Sequence, residues 1–233
     1  VTANLGLGTD ILTLGAAGTS SLTLSGVETL LGSSGNDTVT FTTVQSGISV
    51  DLGGGTADTL TLTAGANSLA FSGVERVQLG VSTGNDTLTL TGSSSGGTID
   101  LGTGTADILA LAAGDYSFAA SGIESITGSS GAENLSLTTG YTGTINLSTG
   151  TDTLTVTGTN SLNLSGVETL LGSSGNDTVT FTTVQSGISV DLGLGTDTLV
   201  LGSGANSLAF SGIELLQVAR DRKSTRLNSS HVA

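Results

Sequence analysis

The thirty residues from Leu24 to Gly53 recur without a change as Leu164 to Gly193, and looser copies of the block fill the interval between them. A chain built this way folds as a stack of near-identical units, each touching only its neighbours, so it forms one elongated body rather than several globular domains. The element SGVE or SGIE starts at Ser25, Ser72, Ser121, Ser165 and Ser211, in steps of 47, 49, 44 and 46 residues. One repeat is therefore about 46 residues long, and the verbatim copies lie three repeats apart.

Within a copy, GNDTVTF at Gly35 alternates Thr38, Thr40 and Thr42 with Val39 and Phe41, the period of two that marks a half-buried strand. DTLTLT at Asp58 and Asp86, ENLSLT at Glu133, DTLTVT at Asp152 and DTVTFT at Asp177 follow the same rule. The SGISVDL, GTIDL, GTINL, NSLAFSGVE and SLNLSGVE segments also read as short strands, and GSSG and GLGT between them suit chain reversals. No apolar stripe of helical period runs long enough to nucleate a helix. Copies this alike stack best in register, coil on coil. The expected fold is thus all-β, a parallel β-solenoid or β-roll of about 46-residue repeats with two coils per repeat and two strands per coil. Nine acid-bearing turns imply about nine coils and a rod on the order of 45 Å long.

Composition narrows the chemistry. With 37 glycines, 3% aromatic residues and no Pro, Cys, Met or Trp, the chain can fill a narrow core of Leu, Val and Ile but not a wide one. The lack of cysteine removes disulfides and thiolate metal sites. No uninterrupted apolar run approaches the roughly 18 residues of a membrane span. The repeat array is assigned to residues 1–219, and the remainder, 220–233, breaks its pattern. Asp221 to His231 reads DRKSTRLNSSH and back-translates into a widely used sequencing adapter, so this tail is expected to be artefact. From Asp221 onward it holds the only lysine, the only histidine and two of the four arginines, Arg222 and Arg226. Without it the basic residues fall to Arg76 and Arg220, and the array is more acidic than the −14 of the whole chain. Such a polyanion is repelled by nucleic acid and anionic lipid and attracts cations. The opening in mid-repeat, without methionine, leads us to expect an interior segment of a longer protein.

The turn richest in chemistry is G-x-x-G-N-D-x-U-x, with U a large apolar residue, written GSSGNDTVT at Gly32 and Gly172. Here the chain resembles the RTX or haemolysin-type calcium-binding repeats, whose nonapeptide GGxGxDxUx builds a parallel β-roll. The resemblance implies calcium held by aspartate carboxylates and backbone carbonyls of the Gly-rich turns. By that resemblance the ligands are Asp37, Asp86 and Asp177 in GND context, with Asp10, Asp58, Asp107, Asp152 and Asp197 in GTD or GTAD context and Glu133 at the matching place in the third repeat. The chain departs from the family pattern: the double glycine is mostly missing, the nonapeptides are not back to back, and Ala57 and Ala106 are inserted before Asp58 and Asp107. Electrostatics gives a separate reason for a cation. Acids stacked at the coil spacing of about 4.8 Å repel by roughly 1 kcal/mol in water and by several times that at a protein surface. Hard oxygen ligands on flexible turns favour Ca²⁺. The alternative is that each acid caps its own turn through nearby N–H groups and needs no metal.

Asp51, Asp100 and Asp191, with Asn146 in the third repeat, end strands just before a motif acid and read as turn formers or as further metal ligands. Glu28, Glu75, Glu124, Glu168 and Glu214 read as mid-strand residues on the solvent face. Thr38, Thr40 and Thr42, Thr59, Thr61 and Thr63, Thr87, Thr89 and Thr91, and Thr153, Thr155 and Thr157 would form ladders on one exposed sheet, which resembles the ice-binding face of some solenoids. Outside the tail there is no His, Cys or Lys, so a histidine-assisted nucleophile or a lysine base cannot be assembled. The expected role is therefore not enzymatic. It is that of a calcium-stiffened structural segment of an extracellular or cell-surface bacterial protein, an adhesin, surface-layer or RTX-like exoprotein. Its expected partners are calcium ions, neighbouring copies or surface glycans. The alternatives are an ice-binding solenoid and a non-catalytic module of a polysaccharide-processing enzyme.

Overall fold

The computed structural model describes residues 1–15, 19–80, 83–181 and 183–218. The tail assigned to 220–233, and with it the end of the array at 219, lies outside these residues. Among the described residues twenty-four short strands form two sheets of twelve, and successive strands alternate strictly between them. Every pairing is parallel. The fold is the parallel β-solenoid expected from the alternation, with no helix among the described residues.

Two strands and two turns make one coil, of 16 residues where Thr153 pairs with Thr169 and 22 where Arg76 pairs with Thr98. Alternate residues point between the sheets and stack on their equivalents. Val39, Leu60 and Val77 lie side by side on consecutive strands of one sheet, none more than 1% exposed. Such a column removes about 1.5–3 kcal/mol worth of apolar surface per side chain from water, and it does so at every coil. The core is narrow, as the composition requires, and its widest fully buried side chains are Tyr116, Phe41, Phe118 and Phe181.

The count of strands per repeat differs from the expectation. The serine of SGVE or SGIE ends the third, eighth, thirteenth, eighteenth and twenty-third strands, Thr19–Ser25, Ala66–Ser72, Gly114–Ser121, Ser161–Ser165 and Ser207–Ser211. A repeat therefore holds five strands, or two and a half coils, not four strands in two coils. Because five is odd, each repeat begins on the sheet opposite to the one before. The verbatim copies show this directly: Thr38–Phe41 lies in one sheet and its duplicate Thr178–Phe181 in the other, with the same strand boundaries. Counting acid-bearing turns gave nine coils because some turns carry Gln, Asn, Ser or Tyr where others carry an acid. Twelve strands per sheet make the rod on the order of 55 Å long.

The odd count also breaks the threonine ladders expected on one sheet. Thr38 and Thr40 do neighbour Thr59 and Thr61, but Arg76 and Gln78 follow on the next strand. Thr87 and Thr89 lie on the opposite sheet beside Ile108 and Ala110, and Thr153 and Thr155 return to the first beside Thr169 and Leu171. Thr42, Thr63, Thr91 and Thr157 fall beyond the strand ends. Threonine rows within the strands therefore run for at most three coils, from Thr19 through Thr38 to Thr59, and the threonines of successive repeats change face.

The glycine of SGVE or SGIE sets how closely coils approach. Gly26, Gly73, Gly122, Gly166 and Gly212 have φ between 57° and 62°, and a Cβ at each would lie 2.2–2.5 Å from a carbonyl oxygen of the preceding coil. Gly47 also has positive φ, 74°, but a Cβ there would meet nothing within 4 Å. We expect Gly73→Ala to lose distinctly more stability than Gly47→Ala, whose cost is the backbone strain alone, about 1–3 kcal/mol. Urea unfolding of the two variants checks this; equal losses would mean the close approach is not limiting.

Candidate functional site: buried polar ladders on both edges

At most of the described turns that enter a strand one polar side chain lies against the neighbouring turn, the aspartates, asparagines and glutamines largely buried and the SGVE or SGIE glutamates half-buried or exposed, and these side chains stack into a column along each edge of the rod. Asp37, Asp58, Glu75, Ser94, Tyr116, Glu133, Asp152, Glu168, Gln185 and Asn206 follow one another on one edge. Asp10, Glu28, Gln45, Asn67, Asp86, Asp107, Glu124, Tyr141, Asn160, Asp177, Asp197 and Glu214 follow on the other. Asp58, Asp107, Glu133, Asp152 and Asp197 are each 0% exposed, an unusual position for carboxylates.

The bond that repeats is backbone to side chain, from one coil to the next. The Asp37 N–H donates to Asp58 Oδ1 at 2.6 Å, and the Asp58 N–H to Glu75 Oε2 at 2.8 Å. The same pair of bonds runs from Asp86 to Asp107 to Glu124 (2.8 and 2.8 Å), from Glu133 to Asp152 to Glu168 (2.8 and 2.8 Å), and from Asp177 to Asp197 to Glu214 (2.7 and 2.7 Å). Asp10 opens its edge with an N–H bond to Glu28 Oε2 at 2.8 Å. Amide rungs extend the series: the Gln45 N–H donates to Asn67 Oδ1 at 3.0 Å, the Gly65 N–H to Asp86 Oδ1 at 2.6 Å, and the Asn160 N–H to Asp177 Oδ1 at 3.0 Å. Read along one edge, the order is Gln, Asn, Asp, Asp, Glu. A repeat supplies one of each to alternating edges.

All nine residues expected from the sequence as metal ligands are thus rungs of these ladders. The structure brings eight of them together in stacked pairs: Asp37 with Asp58 and Glu133 with Asp152 on one edge, Asp86 with Asp107 and Asp177 with Asp197 on the other. Among the described residues no three acidic, His or Cys side chains converge on one point. Glu133 serves in place of aspartate because its longer arm still reaches the hydroxyl of Ser129, as Asp37 Oδ2 reaches the N–H and hydroxyl of Ser33. For the SGVE and SGIE glutamates the mid-strand placement is overturned, while Glu28 and Glu214 are exposed as expected and Glu75, Glu124 and Glu168 are half-buried. They lie in turns rather than mid-strand, and each accepts the N–H of an aspartate one coil earlier. Asp51, Asp100 and Asp191 are turn formers whose Oδ1 takes the N–H two residues on, at 3.1–3.2 Å.

Sequence reasoning missed the uncharged rungs. Asn67 satisfies itself, accepting from Gln45 and donating through Nδ2 to Thr63 O and Gly65 O. Tyr116 takes the same slot in the second repeat, and its hydroxyl donates to the equivalent carbonyl, Ala112 O, at 2.9 Å. Their regular distance from SGVE was the available signal.

Several carboxylates keep one oxygen unused. Asp10 Oδ2, Asp107 Oδ2, Glu133 Oε2, Asp152 Oδ2, Asp177 Oδ2 and Asp197 Oδ2 are buried without a hydrogen-bond partner. Backbone oxygen is close by: a Cβ on Gly104 would lie 2.4 Å from both Asp107 Oδ1 and Gly84 O, and one on Gly195 would lie 2.3 Å from Gly175 O and 2.9 Å from Asp197 Oδ1. Burial pushes the Asp152 carboxyl above the usual carboxylate range; the Glu133 N–H pulls it back and the Glu133 carboxylate pushes it up again. Burial likewise raises Asp177, against the pull of Asn160 and with the push of Asp197. Tyr141 is raised by burial and then by Glu124, and its hydroxyl is buried without a partner. Two buried carboxylates one coil apart repel by about 3–4 kcal/mol at an effective dielectric of 20, so the pairs favour a proton or a cation between them.

Neither a protein-family model, nor a curated protein, nor a solved structure matches this chain.

Two outcomes follow for the ladders. Asp107→Ala removes the carboxylate that accepts the Asp86 N–H and should lose about 1–3 kcal/mol, whereas Asp107→Asn keeps an acceptor, removes a charge and should lose much less. Urea midpoints compare them. For Asp152 and Asp177 the folded values lie above the unfolded value of about 3.9, so the folded chain holds more protons than the unfolded chain between the two. Their contribution is complete below about pH 4 and is lost as pH rises through the folded values. In chelating buffer the urea midpoint should therefore fall from about pH 4 towards neutrality, and Asp152→Asn with Asp177→Asn should flatten the slope.

Proposed function

We propose that this chain is a structural segment, a rigid spacer of a secreted or cell-surface bacterial protein of the adhesin, surface-layer or RTX-like kind, stiffened by calcium. The observation that carries the reading is the ladder itself. The same coil-to-coil bond recurs along both edges, so bending or unwinding any one coil breaks bonds to its neighbours. A stack braced in this way along much of both edges suits holding two ends apart, and in this reading the chain has no catalytic part.

Calcium is supported by the donor set. Buried carboxylates that keep one oxygen unpartnered, such as Asp107 and Asp197, lie beside glycine carbonyls of the adjoining coil, all of them the hard oxygens that Ca²⁺ prefers, and the GND turns resemble those of RTX repeats. Asp10, Asp37, Asp58, Asp86, Asp107, Glu133, Asp152, Asp177 and Asp197 would hold it. The ion would supply positive charge that relieves repulsion within each pair. Threonine runs of at most three coils that change face do not favour the ice-binding alternative.

Solution scattering and thermal melting test both halves. We expect an elongated particle on the order of 55 Å long. With sites of Kd about 0.1 mM, 10 mM calcium adds roughly 2.7 kcal/mol per site, so the melting temperature should rise steeply with calcium and little with magnesium. A compact particle overturns the spacer. A melting temperature indifferent to calcium overturns the ion.

A further inference from the structure

In an array this repetitive, a position where one copy differs from all others is informative. The slot after each SGV or SGI turn is filled in three of the four complete repeats. Gln45 and Gln185 fill it in the first and fourth, each donating its amide to the carbonyl and hydroxyl of a threonine two residues earlier. Tyr141, 5% exposed, fills it in the third. The adjoining valine, Val44 or Val184, lies over the glycine of the next coil, Gly65 or Gly204. In the second repeat the matching residues are Gly92, Ser93 and Ser94; Ser93 Oγ still lies over Gly114 of the next coil, but Ser93 and Ser94 are both shorter than the Val and Gln they replace. The result is an open hollow of about 230 Å³ lined by Phe71, Ser72, Val74, Ser93 to Ser95 and Asp115.

The hollow has a definite chemistry. Phe71 and Val74 give it an apolar floor. Ser93 Oγ accepts the Asp115 N–H at 3.0 Å and keeps its own proton to donate outward. Asp115 stands where the first and fourth repeats have alanine, Ala66 and Ala205. Asn134 Nδ2 holds one of its oxygens at 2.8 Å, which fixes the carboxylate at the rim with the other oxygen unengaged. Hydroxyls that both donate and accept, one anchored carboxylate acceptor and an apolar floor suit a neutral ring bearing vicinal hydroxyls on its edge and C–H groups on its face. The acidic chain repels anions, and the hollow has no cationic side chain to receive one.

We propose that this hollow is a binding site for a single neutral hexopyranose unit, free or at the end of a glycan, with Asp115 and the Ser93 and Ser95 hydroxyls holding the ring hydroxyls over Phe71. Of the four complete repeats only the second carries Gly-Ser-Ser at this slot, on the edge where the ladder passes from Glu75 to Ser94. The site stands independently of the spacer and calcium readings.

The test is NMR titration of the full chain with the methyl glycosides of glucose, galactose and mannose, and with neutral oligosaccharides ending in each. We expect saturable shifts confined to Ser72, Ser93 to Ser95 and Asp115, with a dissociation constant on the order of millimolar for a ligand this small. Equal affinity for glycoside and oligosaccharide identifies a free-sugar site; at least tenfold tighter oligosaccharide binding identifies a glycan end. Ser94→Gln restores the residue found in two other repeats and should abolish the shifts without lowering the melting temperature. Exchange of Gly92–Ser94 for Thr-Val-Gln, the sequence of the first repeat, should do the same if the single change misfolds. Asp115→Ala should weaken binding at least tenfold. No saturable shift with any sugar, or shifts that survive the loop exchange, would overturn the proposal.

Discussion

Everything in this molecule depends on one bond, the backbone N–H of a turn donating to a side-chain oxygen of the next coil. A parallel solenoid satisfies its strand amides through the sheets, but the turns carry N–H groups that the sheets cannot reach. Water would satisfy them on an open edge. Here inward-folding side chains do so instead, which lets the edge close and drives the carboxylates to zero exposure. The acids are buried because the backbone needs acceptors there. The glycines beside them are required by the same crowding, since a Cβ on Gly55 would meet both oxygens of Asp58 within 2.4 Å.

The ladder carries an internal conflict. Asparagine and glutamine rungs supply an acceptor without charge, and their amide protons find carbonyls in their own turns. Aspartate and glutamate rungs accept more strongly but place like charges one coil apart. The sequence of rungs confines that repulsion to runs of three acids separated by two uncharged rungs on the same edge, as where Tyr141 and Asn160 separate Glu124 from Asp177. Because each repeat spans five strands, these acidic runs are staggered between the edges, and neither edge carries a continuous line of charge. Burial raises the Asp152 and Asp177 carboxyls, and the neighbouring acid adds a smaller push.

The odd strand count also sets what the outside of the rod can present. A surface feature encoded in every repeat appears on opposite faces in turn, so extended flat arrays of one residue type do not form, and the threonines illustrate it. A feature encoded in only one repeat, such as the hollow beside Ser94, appears once and on one side. Periodic sequence thus builds the scaffold, and departures from periodicity build its addresses.

The sequence by itself determined the all-β character, the inward and outward side of each strand, and the turns at which acids would stand. These are local matters: alternation of period two fixes the buried face of a strand such as Thr38–Phe41 whatever lies beside it. Only the tertiary structure decided which acids meet. Asp58 neighbours Asp37 but not Asp86, because edge is set by the parity of strands, a sum over every turn in the chain that one uncounted Gln or Asn turn reverses. The same reason hid the role of Glu75 and its equivalents, whose partner is an amide seventeen residues away in the chain and one coil away in space. Whether a slot is filled by Gln45 or left open at Ser94 likewise depends on the length of a side chain measured against the neighbouring coil, a distance that exists only once the coils are stacked.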